Sequence, residues 1–207
     1  AIHKGISRAT GDVVCWLNSD DVFLPGALER VQNAFESHPL ADVVSGYLVL
    51  IDSMSRIRSL HRVKSNIRFQ VERGLILVSQ QATFFRRSLY EKVGGLDIFL
   101  HCAMDKDLWA KCHQETLHWI DIPYYLAAFR KHDKAKGSGN EWLARYRSEK
   151  KRVWARYPKF FGRPGRLRVA RVAYVLGQIF SGRGLTAALD TARYSGRRLA
   201  DVFVCPE

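Results

Sequence analysis

Val13-Val14-Cys15-Trp16-Leu17-Asn18-Ser19-Asp20-Asp21 is the stretch on which the reading of this chain turns. Gly11-Asp12 precedes it and Pro25 follows shortly after. An apolar run bounded in this way predicts a buried strand over residues 12–17. In open α/β sheets ligands sit just past the carboxyl ends of the strands, so Asp20 and Asp21 stand where chemistry is done. Paired acids on a loop can hold a divalent cation that in turn holds a phosphate. The plainer alternative is turn chemistry ahead of a helix opened by Pro25.

Outward from that run the hydrophobic periods alternate. Residues 25–38 predict a helix with Leu28, Val31, Ala34 and Phe35 at helical spacing, stopped by Pro39. Residues 42–51 predict a strand, carried by Val43, Val44, Tyr47, Val49 and Ile51. Residues 52–65, rich in Arg and Ser, predict an exposed hairpin or loop. A short helix over 67–73 leads to a strand over 82–85, and 88–93 predict one or two helical turns stopped by Gly94-Gly95. Residues 105–114 predict a helix with Leu108, Trp109 and Cys112 inward; residues 117–129 predict a strand broken or bent at Pro123. Strands and helices in this order define an α/β fold.

A chain of 207 residues, 47% of them apolar, can bury one substantial core. Its net charge of +13 is uneven. Residues 140–207 hold 15 Lys and Arg against 5 acids, a net +10, which leaves 18 against 15, or +3, for residues 1–139. That split predicts a basic C-terminal module. Cys15, Cys102, Cys112 and Cys205 show no paired metal spacing; Cys15 and Cys112 read as packing residues, and free thiols fit a reducing compartment. After Asn140 a stripe of Trp142, Leu143, Tyr146, Val153, Trp154 and Tyr157 underlies a basic face, and two more helices follow near 166–181 and 185–203. No run reaches the roughly 20 apolar residues of a membrane span. The segment 163–181 places Arg168, Arg171 and Gln178 on a polar strip of an apolar cylinder, so it either packs on the rest of the protein or lies in an anionic membrane surface.

Four blocks together resemble a family 2 glycosyltransferase of the GT-A fold. They are Ala1-Ile2-His3-Lys4-Gly5 through Ala9-Thr10-Gly11-Asp12 to Asp20-Asp21; Pro25-Gly26-Ala27-Leu28-Glu29 with Asp42-Val43-Val44-Ser45-Gly46; Gln80-Gln81-Ala82-Thr83-Phe84-Phe85-Arg86-Arg87 with Val93-Gly94-Gly95-Leu96-Asp97; and Ala103-Met104-Asp105-Lys106-Asp107-Leu108-Trp109 with Phe129-Arg130-Lys131-His132. The resemblance covers about two-thirds of the chain. It implies a Rossmann-like mixed sheet flanked by helices, of the nucleotide-diphospho-sugar transferase type. Residues 1–138 would be the C-terminal portion of the catalytic domain and residues 139–207 a basic, amphipathic helical extension. Such enzymes begin with a strand-helix-strand half that holds the nucleotide base. Here the chain opens on Ala1 in what reads as the tail of a helix ending at Gly11, and so reads as N-terminally truncated.

The resemblance also implies the chemistry: an inverting, metal-dependent transfer from a UDP- or GDP-sugar to an acceptor sugar or lipid-linked saccharide. Polysaccharide or glycoconjugate synthesis, in the cytoplasm or at the inner face of the membrane, is the setting it suggests. By resemblance Asp21 binds Mg²⁺ or Mn²⁺ and Asp20 lies nearer the donor. Asp105 is the base that takes the acceptor proton, with Met104 where relatives often carry Glu. Helix capping is the structural alternative for Asp105, and Asp107 the fallback base. Gln80 and Gln81 offer amides to sugar hydroxyls. Asp107 and Trp109 are assigned to the acceptor side, His132 to the metal, and Arg130, with Lys136, to the donor phosphates. Asn18 and Ser19 shape the turn. Two rival readings remain: an inactive remnant that serves as a binding domain, and a basic nucleic-acid-binding protein. Against nucleic acid as a partner, the charge is confined to helices with an apolar stripe, and no recognition motif appears.

Overall fold

Adjacent residues Val43 and Val44 are both fully buried, and they belong to different hydrophobic clusters. A strand whose neighbouring side chains point to opposite faces and are buried on both must carry helices above and below. The computed structural model bears this out; it describes residues 1–62, 78–132, 139–158, 172–173, 176–177 and 183–204. The expected helix at 67–73, Lys136, Cys205 and most of the segment 163–181 lie outside the described residues.

Helix α1 (Ile2–Ile6) leads to β1 (Val13–Val14), β2 (Val22–Phe23), helix α2 (Ala27–Ser37) and β3 (Val43–Ile51). Strand β4 (Ile57–His61) follows, then a 3-10 turn at Gln80–Ala82, β5 (Thr83–Arg86), α3 (Arg87–Lys92), α4 (Met104–Glu115) and β6 (Trp119–Arg130). Helices α5 (Asn140–Arg156), α6 (Arg183–Tyr194) and α7 (Leu199–Val202) complete the described chain. The strands form one mixed sheet in the order β1-β5-β3-β6-β2, with β4 pairing β3 beside that path. Among the described strands, β3 and β6 run parallel and the other pairs antiparallel.

One face packs Val14, Val43 and Phe85 against Leu89, Leu108, Trp109, Cys112 and Val153, that is, against α3, α4 and α5. The other packs Val44, Phe84 and Leu126 against Ala27, Val31, Ala34 and Phe35 of α2. A third cluster joins Val49, Ile51, Ile57 and Leu60 to Tyr194, Leu199, Val202 and Phe203. Each large apolar side chain so enclosed contributes about 1.5–3 kcal/mol. The helices after residue 139 thus share their cores with the sheet, and the expected boundary at 138 falls in undescribed residues.

Three local expectations are corrected. The strand over 12–17 pairs only at Val13–Val14, because Trp16 turns into the core, stacks on Trp109 at 5.9 Å and gives its carbonyl to Gln80 Nε2 instead of a ladder. Leu28 is 59% exposed, and Ala27 takes the buried position on α2. The helix expected to end at Gly11 ends at Ile6. The expected hairpin after residue 51 is present as β4, although Ile57 and Leu60 are buried. The expected bend at Pro123 is a bulge. Ser45 pairs Asp121 and Tyr47 pairs Tyr125, so residues 122–124 of β6 face Gly46 alone. A Cβ on Gly46 would stand 2.6 Å from Leu126 Cδ1 and 2.8 Å from the Tyr124 carbonyl, which is why glycine sits there.

Candidate active site

The short β1 ends at Val14, and residues 18–21 close a turn in which the Asp21 N–H donates to the Asn18 carbonyl at 3.1 Å. Val22 and Phe23 then pair with Ala128 and Ala127, which brings Asp21 beside the carboxyl end of β6. There the Arg130 N–H donates to Asp21 Oδ1 at 2.9 Å. Asn18 Nδ2 and Gln81 Nε2 donate to Asp21 Oδ2 at 2.9 and 3.1 Å. Asp21 is 5% exposed, so these three donors replace the water its charge would otherwise need.

Asp20 faces the other way. Its side chain is 34% exposed, and its Oδ2 lies 3.2 Å from His132 Nε2, on an imidazole that is 25% exposed. The structure therefore unites Asp20 with His132, while Asp21 becomes the residue that fixes the turn. Gln80 and Gln81, expected to meet sugar hydroxyls, brace this loop through their amide nitrogens, Gln80 on the Trp16 carbonyl and Gln81 on Asp21.

Arg130, expected on the donor phosphates, spends its guanidinium on protein acceptors. Nε donates to the Asp20 carbonyl at 2.9 Å; Nη1 donates to the Asp52 carbonyl at 3.0 Å and to Ser55 Oγ at 2.9 Å. The rigid fork of five donors fits the carbonyls of the β3–β4 turn, and it ties that turn to the acidic loop. Asp52 itself is kept below its ordinary value, first by the Arg56 N–H and then by the Met54 N–H and nearby arginines, against a smaller desolvation effect.

Asp105 lies in the first turn of α4, with its side chain 25% exposed. It does not cap the helix, whose N-cap is Ala103; its Oδ1 accepts the Lys106 N–H at 2.8 Å and Lys106 Nζ lies 3.6 Å from Oδ2. Asp107 is different. It is fully buried, accepts from Tyr157 OH at 3.0 Å and from Arg156 Nη1 at 3.2 Å, and lies 3.1 Å from Lys111 Nζ. Burial and the Asp107 charge push the Tyr157 hydroxyl far above its ordinary range. Asp107 thus pins α5 to α4, and neither an acceptor nor a proton to be abstracted can reach it. Trp109 is equally enclosed, stacked on Trp16 and edge-on to Phe85 and Trp119, so it is core and not an acceptor contact.

Sequence reasoning missed Glu149. It is 1% exposed, and its Oε2 accepts the N–H groups of His101, Cys102 and Ala103 at 2.9, 2.7 and 3.0 Å. Desolvation alone would raise its pKa; the three backbone donors and Arg145 outweigh it and hold the carboxyl below its ordinary value. The only sequence trace of this is the i,i+4 pair Arg145–Glu149.

Burial pushes the Cys15 thiol up to about 11 and the Cys112 thiol up to about 12, so both are packing groups. An open cavity of about 570 Å³ lies between α2 and the β1–β5 edge, lined by Val13, Cys15, Val31, Phe35 and Phe84 among others; no expected site residue borders it. Among the described residues no three His, Cys, Asp or Glu converge as a metal cage. Mg²⁺ and Mn²⁺ do not require one, since one or two protein groups suffice when phosphate and water fill the remaining positions. The partly exposed carboxylate and imidazole of Asp20 and His132 fit that demand. Asp21, with N–H donors on both oxygens, has little acceptor capacity left.

Residues 1–94 match the sequence profile described as Glycosyl transferase family 2. Over these residues the chain is similar to glycosyltransferase family 2. An uncharacterized glycosyltransferase of Mycobacterium tuberculosis is 31% identical over 111 residues, 52% of this chain and 40% of that protein. One of Rickettsia prowazekii is 31% identical over 131 residues, covering 58% of this chain and 40% of the relative. The pre-mycofactocin glycosyltransferase of M. tuberculosis aligns along 100% of this chain and 45% of its own length, at 25% identity. The chain thus spans less than half the length of these curated relatives. Among solved structures, S. aureus TarS 1–349 in complex with UDP is 13% identical with a TM-score of 0.45, over 73% of this chain and 47% of that one.

Proposed function

We propose that this chain is a family 2 glycosyltransferase and carries the diphosphate side and the acceptor side of a nucleotide-sugar transfer, with a divalent cation held at Asp20 and His132. The observation that carries the reading is the partly exposed Asp20–His132 pair, 3.2 Å apart, beside a loop locked by Gln80, Gln81 and Arg130 at the carboxyl end of the sheet. Glycosyl transfer needs negative charge neutralised on the departing diphosphate, and a bound Mg²⁺ or Mn²⁺ supplies that neutralisation. The chain's own part is to hold Asp20 and His132 in fixed positions before substrate arrives, so that little reorganisation accompanies the reaction.

Asp105 is the proposed base. Its one-quarter-exposed carboxylate on the first turn of α4 would take the proton of the acceptor hydroxyl as that oxygen attacks the anomeric carbon, inverting its configuration. A UDP- or GDP-sugar is the proposed donor, and an acceptor sugar or lipid-linked saccharide the partner, in cell-surface polysaccharide or glycoconjugate synthesis.

Calorimetric titration of UDP and of GDP, with and without Mn²⁺, tests the reading. Binding that requires Mn²⁺ and is lost in Asp20→Asn and His132→Ala is expected. Binding indifferent to Mn²⁺, or intact in both variants, would remove the proposed cation site. Asp105→Asn should keep nucleotide binding and abolish turnover; full turnover would remove Asp105 from the mechanism.

A further inference from the structure

Ile98 and Phe99 are adjacent, and they are 63% and 75% exposed. The loop that carries them is fixed at both ends. Asp97 Oδ1 accepts the Phe99 N–H at 2.9 Å, and the Asp97 carbonyl accepts the Leu100 N–H at 3.1 Å. Asp97 Oδ2 takes Arg156 Nη1 at 2.6 Å, Leu100 is buried, and the His101 N–H ends on Glu149. Two bulky apolar side chains therefore stand out from a braced turn and have no freedom to fold back into the core.

Cations flank them. Glu149 and Arg156 hold the two ends of this loop from one side of α5, and Arg152 lies between them on that side, three residues from one and four from the other. Arg152 is exposed, and the Arg145 side chain, about two turns earlier, is 54% exposed. The protrusion is small, two side chains wide. An aromatic residue buries about 150–250 Å², whereas a stable protein interface needs about 800 Å² per partner. An apolar tip beside a helix that carries Arg145, Arg152 and Arg156, on a chain of net charge +13, matches a surface that is apolar beneath and anionic on top.

We infer that the loop of residues 97–101, with Arg145 and Arg152 of α5, docks on an anionic lipid bilayer, Ile98 and Phe99 entering between the headgroups. These residues are not those of the segment 163–181 that the sequence alone singled out. It also bears on the reading of Asp105, on which the following point rests although the docking does not. The loop runs straight into α4, so a docked protein would present the first turn of that helix at the interface, where a lipid-carried acceptor would lie.

Flotation with vesicles of phosphatidylcholine plus phosphatidylglycerol, and of phosphatidylcholine alone, provides the test. The intact chain should float with the anionic vesicles and much less with the neutral ones. The double variant Ile98→Asp, Phe99→Asp should lose on the order of a hundredfold in partitioning, and Arg152→Glu at least about fivefold. Nucleotide titration and circular dichroism of the variants should match the parent, since these side chains are exposed. Absence of flotation, or flotation undiminished in the double variant, would overturn the proposal. So would a dimer in solution that the double variant converts to a monomer, because a second copy would then be the occupant.

Discussion

The Ala103 N–H donates to Glu149 Oε2 at 3.0 Å across 46 residues of sequence. Helix α4 has no side-chain cap of its own, since its N-cap residue is Ala103. A carboxylate from α5 does that work, collecting three successive backbone N–H groups on one oxygen. Glu149→Ala should therefore cost about 3 kcal/mol, because the Ala103 N–H stays buried without an acceptor and two further backbone donors lose theirs. Thermal denaturation should show a fall of roughly 6–12 °C. Glu149→Gln keeps the shape and one acceptor and should cost less. An unchanged melting temperature in Glu149→Ala would mean the cap is not what holds this helix end.

The same carboxylate makes stability depend on pH. Desolvation opposes its charge, the backbone donors and Arg145 favour it more, and its folded pKa lies below the ordinary 4.5. A group whose pKa is depressed on folding contributes stability that is complete above the unfolded value and lost as pH falls through the folded one. Asp97 acts in the same sense: the Arg156 contact and the Phe99 N–H outweigh burial, and its pKa lies below 3.8. Urea midpoints measured down an acid series should hold steady above about pH 5 and fall below it. In Glu149→Gln the fall should be shallower than in the parent; an identical slope would remove Glu149 from the linkage.

Much of the fold was open to sequence reasoning because its signals are local. The 3.6 period of α2 and the double-sided apolar run of β3 depend on near neighbours, and both elements lie within a residue or two of their expected bounds. The acidic loop was visible because it follows an apolar run directly. The division of labour within it was not. Whether Asp20 or Asp21 faces solvent depends on Arg130 and Gln81, brought there by strand pairing with β6 and by the turn before β5. Asp105 and Asp107 show the same limit. Two residues apart on a helix they point about 200° apart, so one is one-quarter exposed and the other meets α5. Only the position of α5 decides which. Glu149 left no local signal beyond an ordinary ion pair, because its three partners lie in a distant loop.

Gly46 offers a test of the bulge in β6. Its φ needs no glycine; the space does. A Cβ there meets Leu126 Cδ1 at 2.6 Å and the Tyr124 carbonyl at 2.8 Å. The carbonyl is backbone and cannot swing aside as a side-chain tip would. Gly46→Ala should cost about 1–3 kcal/mol through overpacking. Gly94→Ala is the contrast: nothing lies within 4 Å of its Cβ position, and its φ of +73° makes the cost purely conformational. Urea unfolding of both variants separates the causes, since pairing Gly46→Ala with Leu126→Ala should recover part of the loss and pairing Gly94→Ala with it should not.

Arg130 separates a brace from a phosphate ligand. Its guanidinium joins Asp20, Asp52 and Ser55 through protein acceptors alone, so its contribution belongs to the fold itself. Lysine keeps the charge but lacks the fork and cannot serve the Asp20 carbonyl and the β3–β4 turn together. Arg130→Lys should lower stability by about 1–3 kcal/mol without ligand, read as a fall of roughly 2–12 °C in melting temperature. Nucleotide affinity should fall as a consequence, because the loop carrying Asp20 loosens. A residue that met only the phosphates would give the reverse pattern: an unchanged melting temperature, weaker UDP binding, and a shallower dependence of that binding on salt. That pattern would return Arg130 to the donor site.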